Sequence, residues 1–153
     1  MRLFAILSII GLFMLCACSD SGSKSGENAK DKFNSRTGIS LIQSITECNF
    51  KWVQVGDTYG EYFRIRCSKE YFLTLTEQLH LSYDKLPSYP GSTHWGSSVG
   101  ESNPNDPDWW KVAPKSSVIY HKEDYSNVVT RSVMAFWYDS EAGYAYMSVD
   151  FWD

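Results

Sequence analysis

The stretch 48-CNFKWVQVGDTYGEYFRIRC-67 decides the fold. Cys48, Phe50 and Trp52 alternate with Asn49, Lys51 and Val53. After 56-GDTYG-60, Phe63, Ile65 and Cys67 alternate with Tyr62, Arg64 and Arg66. A period of two sends successive side chains to opposite faces of a strand, so two such runs about a turn read as a β-hairpin. Pairing Val55 with Gly60 sets Trp52 against Phe63, Phe50 against Ile65 and Cys48 against Cys67. A slip of one residue would turn every apolar side chain to the other face. Directly opposed strand positions bring Cβ atoms within bonding reach, so this register predicts a Cys48–Cys67 disulfide. Closing that loop would stabilise the domain by about 3 kcal/mol. A redox or metal role for the pair lacks support, because there is no C-x-x-C spacing and no His beside either residue.

The neighbouring segments extend this hairpin. Ser68 is placed to cap a helix, with Glu70 in its first turn, where the dipole favours an acid. Phe72, Leu75 and Leu79 fall at helical spacing on one face, and His80 ends the helix near its last carbonyls. Strand patterns return at Val118 to His121, Arg131 to Tyr138 and Tyr144 to Trp152, the last two joined by 139-DSEAG-143. In the final strand Ala145, Met147, Val149 and Phe151 share one face, while Tyr144, Tyr146, Ser148 and Asp150 share the other, which reads as the wetter side. The order β-β-α-long loop-β-β-β predicts an α+β class: an antiparallel sheet of about five strands with one main helix on one face. One globular domain is expected over 38–153.

The N-terminus carries the address. After Arg2, Leu3 to Ala17 run apolar, broken only by Ser8 and Gly11. That is short of the ~20 residues a membrane-spanning helix needs, and it matches a secretory signal over 1–17. Leu15-Cys16-Ala17-Cys18 then resembles the lipobox of bacterial lipoproteins. The resemblance implies that Cys18 becomes the acylated N-terminus and anchors the chain in a membrane. Ser19, not Asp, follows the cysteine, which by the same resemblance implies the outer membrane, facing the periplasm. Residues 18–37, rich in Ser, Gly, Lys, Asp and Asn, read as a disordered tether with a reach of roughly 25 Å.

Charge and composition narrow the partners. The chain has 14 basic and 18 acidic residues, and loss of the signal removes Arg2 for a net charge of −5. No basic block is present, which argues against nucleic acid and against electrostatic docking on anionic lipid. The chain holds 6 Trp, 10 Tyr and 8 Phe, enough for an aromatic sheet, a contact surface, or both.

All 5 prolines (87, 90, 104, 107 and 114) fall in one stretch, which reads as a long loop. Within it Gly96, Ser98 and Gly100 form a G-x-S-x-G, with His94 upstream and Asp106 and Asp108 downstream. A serine hydrolase presents such a serine between a strand and a helix, and here neither flanks it. Ser82 to Lys85 spells S-x-x-K without its partner motifs. Glu101, Asn103, Asp106 and Asp108 lack the EF-hand spacing, and His80, His94 and His121 are scattered, so no metal or cofactor is expected. Tyr89, Trp95, Trp109 and Trp110 remain as a candidate binding surface, or as anchors that pin the loop to the sheet. The expectation is a non-enzymatic lipoprotein that binds a protein or envelope component. An inhibitor or immunity-type protein is one form of it, an envelope structural or assembly factor is the alternative, and a hydrolase is less favoured.

Overall fold

The structure is a computed structural model and describes residues 20–55, 58–83, 104–114, 116–124 and 131–152. It consists of β1 (Asp20–Ser25), α1 (Glu27–Thr37), β2 (Cys48–Val55), β3 (Thr58–Arg66), α2 (Lys69–Gln78), β4 (Ile119–Asp124), β5 (Arg131–Asp139) and β6 (Tyr144–Trp152). The strands make one antiparallel sheet in the order β1-β2-β3-β6-β5-β4. The α+β class and the five expected strands are present, and a sixth strand and a second helix join them.

Both additions come from the segment read as a tether. Residues 20–25 pair along the outside of β2, from Asp20 opposite Gln54 to Ser25 opposite Asn49. Edge pairing uses backbone groups, which polar residues possess as fully as apolar ones. In α1, Ala29 and Phe33 stand four residues apart on one face and are fully buried. Phe33 meets the Phe63 ring edge-on at 5.6 Å. The glycines that suggested a linker are the boundaries of this helix. Gly26 turns the chain at φ 63, and Gly38 closes the helix at φ 72, donating its N–H to Asn34 O at 2.7 Å. The folded domain therefore takes in residues 20–37.

The hairpin is present with a different register. Val55 pairs with Thr58, Phe50 with Phe63 and Cys48 with Ile65. The expected and observed registers differ by two residues, so both send the same side chains to the same face. Hydrophobic pattern cannot separate them, and the turn does. The observed pairing leaves only residues 56 and 57 between the strands, the shortest and commonest hairpin connection. Cys67 consequently lies past the end of β3 instead of opposite Cys48. Diagonal positions set Cα atoms roughly 7–8 Å apart, too far for a disulfide without backbone movement. In place of the expected disulfide, both cysteines carry free thiols.

Helix α2 matches its reading closely. Ser68 Oγ accepts the Tyr71 N–H at 3.2 Å, and Phe72, Leu75 and Leu79 are buried. His80 follows the helix at φ 55, its N–H bonded to Glu77 O, and the Leu81 N–H reaches Thr76 O. These two bonds make a Schellman cap with a histidine in the position glycine usually fills.

The two helices cover one face of the sheet. Phe33, Phe50, Phe63, Phe72, Phe136 and Met147 form the centre of that core. The second face, expected to be the wetter, is also buried. Tyr146 and Ser148 are enclosed, and Asp150 is nearly so. The reason is the segment 104–114, which lies across that face and brings Trp110 and Ala113 to Tyr62, Ala135, Trp137 and Tyr146. The sheet is thus the middle layer of three.

Candidate functional site

The segment on the second face carries two of the candidate contact residues, Trp109 and Trp110. Trp110 is buried, edge-on to Tyr62 at 5.0 Å and to Tyr146 at 5.6 Å. It packs the segment onto the sheet, in the manner of the loop anchor that is the alternative reading. Trp109 is only partly covered and carries the Arg64 guanidinium 5.5 Å from its ring centre. Tyr89 and Trp95 lie outside the described residues, as do His94, Ser98, Glu101, Asn103 and Cys18.

Beneath the segment the sheet has a polar centre. One row across it runs Lys51, Tyr62, Ser148, Ala135 and His121. Burial and the neighbouring Asp150 and Asp106 carboxylates drive the Tyr62 phenol far upward, and the phenol hydrogen-bonds Asp106. Tyr62 is therefore a proton donor here and cannot serve as a base. Ser148 Oγ and Trp137 Nε1 are buried with no hydrogen-bond partner among the described residues. Among those residues no group of three or more His, Cys, Asp or Glu could hold a metal. Asp106 and His121, considered from sequence for catalysis or metal binding, instead belong to this covered centre.

A charged cluster marks the end of the sheet where β3 finishes and β6 starts. Glu47 accepts Arg64 Nη2 at 3.0 Å and the Tyr144 hydroxyl at 2.9 Å, with Arg66 Nη1 at 3.8 Å. Arg64 also lies over the Tyr144 ring, 4.8 Å from its centre. Arg66 is largely exposed. Arginine and aromatic groups held in fixed positions are favoured anchors of protein interfaces.

Beside this cluster, at the same end, is a groove of about 760 Å³. It exists because β4 begins late. Ile119, the first residue of β4, pairs with Trp137, so Tyr138 and Asp139 of β5 have β6 on one side and no described strand on the other. Phe72, Leu73, Val118, Tyr120 and Tyr138 give the groove apolar walls, and Lys69, Lys111, Asp139 and Glu141 rim it. Val118 is 55% exposed and Leu73 36%, the more unusual for lying together. Asp139 fixes the rim. Burial opposes its charge, but Lys111 Nζ at 2.9 Å and the N–H groups of Ala142 and Glu141 outweigh that and hold the carboxyl below its ordinary range. Apolar walls, a charged rim and a strand end with no second neighbour among the described residues suit an extended peptide or an apolar ligand. The sequence reading missed this groove, since its residues come from four separate segments.

Burial pushes the Cys48 thiol up to about 12 and the Cys67 thiol up to about 11, far from the range of a reactive thiolate. Comparison with known proteins finds no matching family model, no matching curated protein and no matching solved structure.

Proposed function

We infer that the chain is a small lipoprotein anchored through Cys18, facing the periplasm from the outer membrane, and that it acts by binding a protein or an envelope component. The address rests on Leu15-Cys16-Ala17-Cys18 and on Ser19 after it. The observation that carries the binding reading is the groove lined by α2, Lys111, Val118 and the end of β5. Stable interfaces gather apolar anchors inside a polar rim, and this groove has that composition. An inhibitor or immunity-type protein is one form of the activity.

The test is affinity capture with the full mature chain carrying Cys18→Ser, in parallel with the same chain also carrying Val118→Asp and Leu73→Asp. A partner held by the first and lost from the second supports the reading. A single soluble enzyme would specify inhibition, whereas cell-wall fragments or outer-membrane proteins would specify an assembly role. Equal capture by both chains would contradict the groove as the site.

A further inference from the structure

The sheet has two unlike ends. At one end β1, β3 and β5 begin and β2, β4 and β6 finish. The groove and the Glu47 cluster lie at the other. Strand β1 starts at Asp20, two residues after Cys18, and two residues span at most roughly 7 Å. An acyl group on Cys18 would thus emerge directly at the first of these ends.

That end is built for a water–lipid boundary. Trp52 stacks on Tyr59 with ring centres 6.0 Å apart, and Tyr59 lies 5.4 Å from Phe151. All three are partly exposed. Beside Phe151, the C-terminal ends of α1 and α2 border a groove of about 300 Å³ floored by Met134, Val149 and Phe151. The exposed side chains of His80 and Lys122 edge it. Trp and Tyr rings concentrate at headgroup depth, with an apolar body and a polar tip, and lysines there extend towards phosphate.

We propose that the Trp52–Tyr59–Phe151 end of the sheet rests in the headgroup layer of the membrane that holds Cys18, so that the sheet stands upright on the bilayer. The proposal rests on the acylation of Cys18 given under the proposed function. No basic block is needed, because the acyl chains supply affinity and the aromatic rings set depth. Strand β5 has 9 residues, a length of about 30 Å, so the other end presents its groove and Glu47 cluster about that far from the lipid. Distance from the membrane then comes from a rigid sheet and not from a tether.

The experiment uses the acylated mature protein in phosphatidylethanolamine–phosphatidylglycerol vesicles, with an amine-reactive reagent and peptide mass spectrometry. Labelling of Lys122 should be several-fold slower than in the Cys18→Ser chain free in solution, while Lys111 at the far end labels equally in both. Equal rates at Lys122, or equal protection of both lysines, would overturn the orientation. As a second reading, acyl-chain-brominated lipid should quench tryptophan emission, with less quenching in Trp52→Phe and no loss in Trp109→Phe. Quenching that is absent, or that depends on Trp109, would overturn it too. The mass of the N-terminal peptide separates the two premises. Without acyl groups on Cys18 both the address and the orientation fall, and with them present a failed protection pattern removes the orientation alone.

Discussion

Arg36 and Glu61 meet at two points, Nε to Oε2 at 2.6 Å and Nη2 to Oε1 at 2.8 Å, and so lock helix α1 to the sheet. Tyr59 donates a third hydrogen bond to the same carboxylate at 2.9 Å, and burial together with Glu61 pushes its phenol up to about 12, keeping it a donor. The Arg36 guanidinium lies 4.6 Å over the Phe151 ring. Glu61 is enclosed, so removing Arg36 strands a buried carboxylate. Arg36→Ala should cost about 2 kcal/mol, a value reduced from the fully buried case because Arg36 itself is partly exposed. Arg36→Met with Glu61→Leu should lose less than the sum of the single changes. Urea unfolding of the three variants measures this coupling, and additive losses would contradict a direct pair.

Trp110 and Trp109 should separate by function despite being adjacent. Trp110→Ala removes a ring enclosed by Tyr62 and Tyr146 and should cost about 3–5 kcal/mol. Trp109→Ala should cost less than Trp110→Ala, about 1–2 kcal/mol, and leave the fold intact, since that ring is only partly buried. Thermal unfolding reads both, and the reverse ranking would contradict the placement of the 104–114 segment.

His80 sits at φ 55, where a side chain strains the backbone and glycine does not. His80→Gly should raise stability by roughly 0.5–1 kcal/mol, read as a higher urea midpoint with an unchanged slope. A lower midpoint would show that the imidazole makes a contact worth more than the strain.

The thiols give a pH prediction. Burial raises both, Cys48 to about 12 and Cys67 to about 11, against an unfolded value near 9. Protons are then held more tightly by the folded chain, so stability is at its fullest below about pH 9 and declines as pH rises towards 11 and 12. At pH 8 a thiol reagent should label neither residue until the protein unfolds. Rapid labelling of the native protein would place the cysteines nearer solvent than they are here.

The legibility of this fold follows from where the information lay. Helix α2 and strands β2, β3, β5 and β6 were readable because each has an apolar pattern and a cap or turn beside it, from Ser68 to the 139–143 turn, whereas β4, read as Val118 to His121, runs on through the polar Lys122, Glu123 and Asp124. The register of β2 and β3 was not, since a shift of two residues leaves the apolar faces unchanged and only the turn length decides. Strand β1 escaped because its pairing uses backbone groups, and α1 because two residues, Ala29 and Phe33, supply its buried side. Tyr146, Ser148 and Asp150 looked solvated because nothing in their own alternation tells of a distant segment folding over them. The groove at Val118 was invisible for the same reason, being assembled from residues far apart in the chain.

The claim on which the rest depends is that residues 20–37, which read as a tether, belong to the folded domain. Native-state amide hydrogen exchange tests it directly. The account predicts that the interior amides of α1, from Asp31 to Thr37, and the β1 amides paired with β2 exchange orders of magnitude more slowly than an unstructured chain, as slowly as those of an outer strand such as β4. Exchange across 20–37 at the rate of a random coil, with β2 and β3 still protected, would contradict it.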